Sequence, residues 1–390
     1  MSEERPLKGY KMLDLSRYLP GPYCSMILAD MGMEVLRVEE PIKGDPARWI
    51  GPVCKKDSIY FLAVNRNKRS IGINLSTDEG KMIFRRLCGM YDVVLENFRP
   101  GTMDALGLGY SALCMVNPAL VLCSISGFGQ QGPRAQKPGH DLNYLALSGF
   151  LGLITKHGSV PTIPPVLIAD LASGLLACIG ILTALLETKA TGKGRHIDVS
   201  MMDSIISLLC YNVTAFGMGQ SAGGKTDFCG DLPCYNIYET KDHHFITVAA
   251  MEPQFWRHLC MLIGHPEWAD KQWAVNGERE QILSELKVVF AEKTEAEWKE
   301  CFAGREVCCE PVRSLQDVFS DLQVAERQMV LELYHQEEGR LYQSGNPIKF
   351  SGMEEAYTAP PRLGQHTLEV LKDLGYTQEE IASLKEKAVI

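Results

Sequence analysis

Lys11–Glu40 reads KMLDLSRYLPGPYCSMILADMGMEVLRVEE, and its hydrophobic pattern predicts a strand, a helix and a second strand in close succession. The three predicted elements are Lys11–Leu15, Tyr23–Gly32 and Glu34–Val38. A helix that joins two strands in this way returns the chain to the same end of the sheet, so the two strands are expected to run parallel. This first unit predicts an α/β fold.

The same alternation continues along the chain and predicts a large doubly wound, Rossmann-like domain. The further elements are strands at Ser70–Asn74, Asp92–Glu96, Leu120–Ser126 and His196–Ser200, and helices at Asp78–Tyr91, Ser111–Asn117, Asp170–Thr188 and Met201–Leu209. Either Ser76 or Thr77 is expected to cap the helix that begins at Asp78. The pattern does not specify the order of the strands in the sheet.

A second, smaller α+β domain is predicted after the Gly-rich stretch Gly217–Gly230. It begins with a hairpin-like pair of strands, Cys234–Glu239 and His244–Ala249, and continues as helices to about Ala303. The expected boundaries are 1–200 for the first part of the large domain, 201–224 for a linker, 225–325 for the small domain, and 326–390 for a linker and a C-terminal return to the large domain.

Composition and charge exclude several classes of function. The chain has 390 residues, of which 46% are hydrophobic and 22% are charged, and its formal net charge is -9. This charge disfavours binding to nucleic acid or to an anionic membrane surface, because both require a basic footprint. It still permits a small anionic ligand in a local basic pocket.

The thirteen cysteines are scattered, and no pair has CxxC spacing, so no zinc, thioredoxin-like or other metal site is predicted. Unpatterned cysteines in a long chain are typical of reduced thiols inside a cell. The N-terminus has no apolar signal core, and the longest apolar run, near Leu171–Leu186, is interrupted and short for a bilayer span. The protein is therefore expected to be cytoplasmic.

Gly127–Gly132, GFGQQG, matches the G-x-G-x-x-G pattern of dinucleotide-binding proteins and directly follows a predicted strand. In those proteins a helix opens at the glycines and meets the pyrophosphate with its N-terminus. Pro133 and Pro138 disfavour a helix start here, so an NAD-dependent oxidoreductase is a disfavoured alternative. The glycines indicate a tight loop that brings backbone close to a ligand.

His140 ends this Gly/Pro-rich loop and begins an apolar helical pattern. The positive end of a helix dipole favours the neutral, basic form of an imidazole at such a position. Asp141, the next residue, is expected to orient a neighbouring group or to cap the helix. His140 is therefore a candidate acid/base residue, and a structural or surface histidine is the alternative.

Asp170 and Glu252 each lie between a strand-like run and a helix. For Asp170, one interpretation is a helix cap, and the other is a nucleophile or a carboxyl group with a raised pKa in a dry cleft. For Glu252, the simpler interpretation is charge complementarity with a helix N-terminus. The adjacent Cys308 and Cys309 are interpreted as structural or solvated.

The chain resembles the family III CoA-transferases over nearly its whole length, and within that superfamily it resembles the α-methylacyl-CoA racemases. The superfamily motifs are Gly21-Pro22, Met26–Gly32, Glu96–Gly101, Leu106–Gly109, Ser126–Pro133, Gly192–Gly194 with Asp198, and Leu363–Thr367. The narrower resemblance to the racemases rests on Gly139–Tyr144 (GHDLNY) and Met251–Phe255 (MEPQF). CoA-transferases of this fold generally lack a histidine at the position of His140 but keep an aspartate that matches Asp170.

The resemblance implies a racemase or epimerase of 2-methylacyl-CoA thioesters that needs no cofactor besides the CoA of its substrate. Racemisation requires two acid/base groups that flank a planar enolate. His140 would serve one face and Asp170 the other, while Asp141 and Glu252 would hold the imidazole. The alternative is a CoA-transferase in which Asp170 attacks the thioester. A non-catalytic relative is disfavoured because these residues are retained.

The resemblance also implies an interlocked homodimer. Each active site would lie between the large domain of one chain and the small domain of the other, so that Glu252 would reach His140 across the subunits.

The resemblance further implies a set of CoA contacts on the large domain. These residues are Arg37, Ile73, Asn74, Leu75, Ser76, Asn97, Phe98, Arg99, Gly139, Asn143 and Tyr144. The sequence departs from the family at Glu40 and Ala105, where racemases often carry arginines that hold the nucleotide phosphates. Arg37, Lys68 and Arg69 are the cations expected to replace them.

Overall fold

The computed structural model describes residues 5–155, 159–219 and 230–390, which form two compact units. The large unit comprises the described parts of Met1–Phe150, Ile163–Leu209 and Glu326–Ile390. The small unit comprises those of Leu151–Thr162 and Cys210–Ala325. Most of the linker predicted at Gly217–Gly230 lies outside the described residues.

The β-strands of the described residues are short. They are β1 (Lys11–Asp14), β2 (Glu34–Glu39), β3 (Lys68–Gly72), β4 (Val93–Glu96), β5 (Val121–Ser126), β6 (His196–Ser200), β7 (Tyr235–Glu239), β8 (Phe245–Ala249), β9 (Cys309–Pro311), β10 (Val330–His335) and β11 (Gly339–Ser344).

The α-helices of the described residues range from single turns to a 24-residue helix. They are α1 (Pro20–Asp30), α2 (Ile59–Leu62), α3 (Asp78–Cys88), α4 (Thr102–Ala105), α5 (Tyr110–Val116), α6 (Asp141–Leu147), α7 (Phe150–Leu153), α8 (Ile168–Thr191), α9 (Met201–Leu208), α10 (Cys210–Gly217), α11 (Pro253–Leu262), α12 (Asn276–Phe290), α13 (Glu295–Phe302), α14 (Leu315–Phe319), α15 (Leu322–Glu326), α16 (Thr367–Asp373) and α17 (Gln378–Glu386).

The large unit is built on a six-stranded sheet with the order β3-β2-β1-β4-β5-β6, in which every pairing is parallel. This confirms the predicted doubly wound α/β fold and supplies the strand order that the sequence pattern did not specify. The order reverses between β1 and β4. In open parallel sheets, ligands bind at such a switch point, outside the carboxyl ends of the strands. The loops after β1, β4 and β5 therefore line the expected crevice.

Local sequence accounts for how several helices of this unit begin. α1 starts at Pro20, three residues earlier than predicted, because a proline is compatible with the first helical turn. α3 is capped by Thr77, whose Oγ1 accepts a hydrogen bond from the Gly80 N–H at 3.0 Å. Thr77 rather than Ser76 is thus the cap.

Residues 201–217, which were expected to begin a linker, are largely helical. Ser200 caps α9 by accepting a hydrogen bond from the Asp203 N–H at 3.1 Å, and Ile205 of the same helix is fully buried. α9 therefore packs as part of the large unit, as its apolar residues require.

α8 is longer than the predicted helix Asp170–Thr188, and by length and composition alone it is able to cross a bilayer. Half of its most apolar window is buried, and Cys178 contacts Cys24 of α1, with 3.4 Å between the two sulfur atoms. The core helix of a globular unit meets the same criteria, so this is weak support for a membrane span.

The C-terminal segment completes the core of the large unit. Val370 and Leu371 of α16 and Leu384 of α17 pack in the same buried cluster as Leu13 of β1 and Ile71 of β3. Residues far apart in sequence thus stabilise one core.

The small unit contains a three-stranded antiparallel sheet with the order β7-β8-β9, covered by helices. Its core is aromatic: Tyr238 stacks on Phe290 with 4.8 Å between ring centroids, and Trp256 and Trp298 are fully buried. This confirms the predicted smaller α+β part of the fold.

Candidate active site

At the switch point, the loop after β1 is hydrogen-bonded to the loop after β4. The Asn97 side chain accepts from the Arg17 N–H at 2.8 Å and donates to the Arg17 carbonyl at 2.9 Å. The Arg17 guanidinium lies 4.9 Å from the centroid of the Phe98 ring, and Arg99 is exposed. Three of the residues predicted to contact CoA, Asn97–Arg99, are therefore placed at the expected crevice.

The segment Ile73–Ser76 follows β3 at the same edge of the sheet. Ile73 is buried, whereas Asn74 and Leu75 are half-buried and Ser76 is exposed. The Asn74 N–H donates to the Val389 carbonyl at 2.8 Å, so the C-terminal segment fixes this loop. Ile73 packs in the core, and the other three residues stay available to a ligand.

The loop 127–140 follows β5, and no helix begins in it, as the prolines predicted; α6 starts at Asp141. Two side chains hold the loop. Asp198 accepts a hydrogen bond from the Gln130 N–H at 2.9 Å, and Gln136 donates to the Pro100 carbonyl at 3.0 Å. The loop is thereby tied both to β6 and to the segment after β4.

Tyr144 is buried beneath this loop, in disagreement with its predicted contact with CoA. Its hydroxyl donates to the Gly139 carbonyl at 2.6 Å. A Cβ atom at Gly127 would lie 2.5 Å from the hydroxyl oxygen of Tyr144. A Cβ atom at Gly139 would lie 3.0 Å from the ring of Tyr144. Burial, together with the charges of Asp170 and Asp141, raises the pKa of Tyr144 to about 12. Tyr144 thus supports both ends of the loop.

His140 is the N-cap residue of α6 and is exposed. Its backbone N–H donates to Oδ1 of Asn143 at 3.0 Å, so this exposed asparagine, a predicted CoA contact, fixes the histidine backbone. The imidazole packs edge-on against Tyr18, with 6.4 Å between ring centroids. His140 and Asn143 form a reciprocal capping box at the start of α6, in which each side chain faces the backbone N–H of the other residue.

Asp141 is buried and caps a different helix from the one it begins. Its Oδ1 accepts hydrogen bonds from the backbone N–H groups of Ala169, at 2.6 Å, and of Asp170, at 3.2 Å. These two N–H groups belong to the first turn of α8, whose donors lack partners inside the helix. The structure therefore gives Asp141 the capping role, and its implied role of holding the imidazole stays a prediction.

Asp170 lies in the first turn of α8 and is mostly buried. No hydrogen bond to its carboxylate is found among the described residues. Burial, followed by the negative charge of Asp141, raises the pKa of Asp170 to about 7. Asp141 is adjacent to His140 in the chain and is hydrogen-bonded to the Asp170 backbone, so the structure brings the two predicted acid/base residues to one corner.

Glu252 lies in the small unit, where it precedes α11 as the N-cap residue, and it is exposed. Pro253 occupies the first helical position, which is consistent with the predicted strand-to-helix transition. The implied contact between Glu252 and the imidazole stays a prediction.

Arg37 does not face solvent, contrary to its predicted contact with a phosphate of CoA. The guanidinium is fully buried and forms ion pairs with Asp14, at 3.0 Å, and Asp45, at 2.7 Å. Lys68 is also buried, 3.6 Å from Asp14, and donates to the Pro22 carbonyl. Burial raises the pKa of Asp14, but the charges of Arg37 and Lys68 outweigh it and lower that pKa. These cations stabilise the unit internally. Arg69 pairs with Glu34 and Glu369.

The sequence motifs assign no role to two residues at this edge, Tyr18 and Glu96. Tyr18 has a left-handed backbone with φ of +63°, and its N–H donates to Asp45 at 3.1 Å. Glu96 ends β4 and accepts from the Phe98 N–H at 2.7 Å, and burial raises its pKa to about 7. Only the strand order and the tertiary contacts place these side chains near the predicted site.

No cluster of three or more His, Cys, Asp or Glu side chains able to hold a metal ion occurs within residues 5–155, 159–219 and 230–390. The predicted absence of a metal and of a separate cofactor stays a prediction.

Residues 7–367 match the model of CoA-transferase family III. The chain is 35% identical over 396 residues to succinyl-CoA:glutarate CoA-transferase of Mus musculus, covering 99% of this chain and 90% of that protein. It is 34% identical over 390 residues to alpha-methylacyl-CoA racemase of Mus musculus, covering 98% and 97%.

A CAIB/BAIF family protein from Brucella suis has a similar solved structure, with a TM-score of 0.83 and 31% identity over 95% of this chain and all of that chain. With its doubly wound sheet and its carboxylate at the start of α8, the chain belongs to CoA-transferase family III and is an enzyme of this transferase and racemase superfamily.

Proposed function

We propose that the protein is a racemase or epimerase of 2-methylacyl-CoA or related α-substituted acyl-CoA thioesters. The observation that carries the proposal is the corner at which His140 caps α6 and Asp170 lies in the first turn of α8. There Oδ1 of Asp141 accepts hydrogen bonds from the Ala169 and Asp170 N–H groups. A transferase that works through Asp170 alone has no need of a histidine at this corner.

In this mechanism one group removes the α-proton and the other returns a proton to the opposite face of the enolate. A carboxyl group with a pKa of about 7 is suited to both roles, because it gains and loses a proton near neutral pH. The exposed imidazole of His140 would act on the other face. The first turn of α8 supplies the positive end of a helix dipole, which favours a developing enolate oxygen.

The CoA part of the substrate would lie along the carboxyl edge of the sheet. Asn74–Ser76, Asn97–Arg99 and Gly139 line this edge, as described above. Arg17 and Arg99 are exposed cations in the loops after β1 and β4, and they are candidates to meet the phosphates in place of Arg37. Glu40, where racemases often carry an arginine, hydrogen-bonds to the backbone N–H groups of Ile42 and Lys43.

A CoA-transferase that moves CoA between carboxylic acids is the second candidate. The Asp170 carboxylate, free of hydrogen bonds within the described residues and mostly buried, favours it, because a desolvated carboxylate is a competent nucleophile towards a thioester. A curated relative with 35% identity is a transferase, so family membership does not separate the two reactions.

We further propose that the working form is a homodimer, in which Glu252 of one chain completes the site of the other. Support comes from α8, which exposes Leu175, Ile179 and Leu186 along one side although the helix is apolar throughout. A helix that is apolar all round is normally covered, so a second copy is the expected cover. The cytoplasmic location, with no membrane or nucleic-acid partner, stays part of the proposal.

The test is to incubate the protein with a single epimer of a 2-methylacyl-CoA in heavy water, with and without a free carboxylic acid acceptor. Epimerisation with α-deuterium uptake, independent of the acceptor, is expected. Transfer of CoA to the acceptor without α-exchange would replace the racemase by the transferase. The matched variant His140→Ala should slow exchange from one epimer more than from the other, and full activity in that variant would contradict the assignment of His140.

A further inference from the structure

We propose that Tyr18 is a positioning residue for His140, and this inference rests on the function proposed above. A catalytic imidazole is usually oriented by a hydrogen bond to one of its ring nitrogens. The capping box of α6 pairs the His140 side chain with the Asn143 N–H, and the ring also makes an edge-on contact with Tyr18, with centroids 6.4 Å apart and planes at 87°. An aromatic pair of this geometry is attractive and directional.

The backbone of Tyr18 is held in a conformation that a tyrosine rarely adopts. Its φ of +63° lies in the left-handed region, which costs energy for any residue with a side chain. Three hydrogen bonds fix the chain there: the Tyr18 N–H donates to Asp45, and the Asn97 side chain bridges the N–H and carbonyl groups of Arg17. Strained residues that their surroundings hold so firmly cluster at functional sites.

Buried ion pairs connect the Tyr18 backbone to the sheet of the large unit. Asp45, which receives the Tyr18 N–H, also accepts hydrogen bonds from Arg37 and from the Ala47 N–H. Arg37 is in turn paired with Asp14 at the end of β1. The Tyr18 backbone is therefore tied through Asp45 and Arg37 to the end of β1, as a group that orients a catalytic side chain requires.

The experiment compares Tyr18→Leu with Tyr18→Phe, which keeps the ring, and with Tyr334→Leu, a control at an exposed tyrosine of β10. Tyr18→Leu is expected to lower kcat about tenfold and to change KM by less than about twofold, because a misplaced acid/base group slows the chemical step. The loss of kcat in Tyr18→Leu should be larger for one epimer of the substrate, and this should be the same epimer whose exchange is slowed more by His140→Ala. Tyr18→Phe and Tyr334→Leu should each have the kcat of the wild type.

A second measurement does not depend on activity. Crystal structures of the wild type and of Tyr18→Phe should show one orientation of the His140 imidazole, and that of Tyr18→Leu should show more than one. A single unchanged orientation in Tyr18→Leu, or an equal loss of rate for both epimers, would overturn the role of Tyr18. If the wild type exchanges no α-proton at all, the proposed racemase fails, and the imidazole orientation still tests Tyr18.

Discussion

Two buried carboxylates of the large unit, Glu39 and Asp170, have pKa values shifted in opposite directions. Beneath β1 and β2, Asp14 and Asp45 pair with Arg37, and Glu39 pairs with Arg48 at 2.8 Å. Burial raises the pKa of Glu39, but the hydrogen bonds and charge of Arg48 lower it to about 2. At the start of α8, no cation pairs with Asp170 in the part of the chain that the structure describes, and burial together with the charge of Asp141 raises its pKa to about 7.

The comparison separates a structural carboxylate from a reactive one. Burial disfavours the charged form in both places, and at Glu39 the Arg48 cation outweighs burial. A paired cation is not always sufficient, since burial raises the pKa of Asp45 despite its ion pair with Arg37. Glu39 stays ionised and bound, whereas Asp170 is able to exchange a proton near neutral pH. A cluster rich in charge is therefore not by itself a site, and a desolvated carboxylate with no cation is the better candidate.

The largest expected effect is on activity. Asp170→Asn should lower the rate by about 10³-fold or more, because it removes the group assigned to proton transfer or to nucleophilic attack. Steady-state kinetics with either substrate class will check this. The control is Asp78→Asn, also in the first turn of a helix but with an almost fully exposed side chain. Equal activity in both variants would contradict the assignment.

Removal of the central cation should have the next largest effect. Arg37→Met leaves Asp45 buried without its cation and Asp14 with Lys68 alone, and it should lower the free energy of unfolding by about 3–5 kcal/mol. The control, Arg340→Met, breaks an exposed pair with Glu332 and should cost less than about 1 kcal/mol. Urea denaturation measures both. If Arg37→Met lowers the free energy of unfolding as little as Arg340→Met does, the charges of Arg37, Asp14 and Asp45 are not a stabilising network.

The two kinds of carboxylate should respond to pH with opposite signs. Folding raises the pKa of Asp170 from 3.8 to about 7. The contribution of this carboxyl group to the free energy of unfolding is therefore favourable below about pH 4 and is lost as the pH rises through about 7. Asp170→Asn should therefore become more stable than the wild type as the pH rises, by at most about 4 kcal/mol.

For Glu39, folding lowers the pKa from 4.5 to about 2, so its contribution is present above about pH 4.5 and is lost as the pH falls towards 2. Glu39→Gln should thus approach the stability of the wild type in acid. Urea denaturation of wild type and both variants from pH 3 to pH 8 checks the two signs, and the same sign for both variants would refute the comparison.

The smallest effect concerns Tyr144. Tyr144→Phe removes the hydrogen bond to Gly139 and should cost about 1 kcal/mol in stability. Tyr238→Phe is a matched control, since that buried hydroxyl donates to the Pro233 carbonyl, also five residues away, in the small unit. Both variants should have a slightly lower melting temperature. Only Tyr144→Phe should also slow the reaction, because Gly139 precedes His140.

Local patterns were sufficient for the first βαβ unit, but they did not predict the strands β9, β10 and β11. Each strand and helix of the first βαβ unit lies within three residues of its prediction, because apolar periodicity and proline or threonine at helix starts act over a few residues. The strand order was not predictable, since it depends on pairing between distant segments.

The candidate site was predictable in part. His140 and Asp170 were found from their positions at helix starts, and the structure brings them to one corner. The role of Asp141 as the cap of α8 was not predictable, because the N–H groups it accepts from lie 28 and 29 residues away. Arg37 was misassigned for a related reason: sequence shows a cation at the end of a strand but not the carboxylates that surround it.

The support of the loop 127–139 by Tyr144 also constrains how this sequence is able to change. Gly127 and Gly139 both lie against the Tyr144 ring, so a side chain at either position collides with it. The three positions are therefore expected to show strong epistasis: a mutation at Gly127 is tolerated only together with a smaller residue at position 144. In a library that randomises all three, the surviving variants should keep both glycines wherever the aromatic ring is kept.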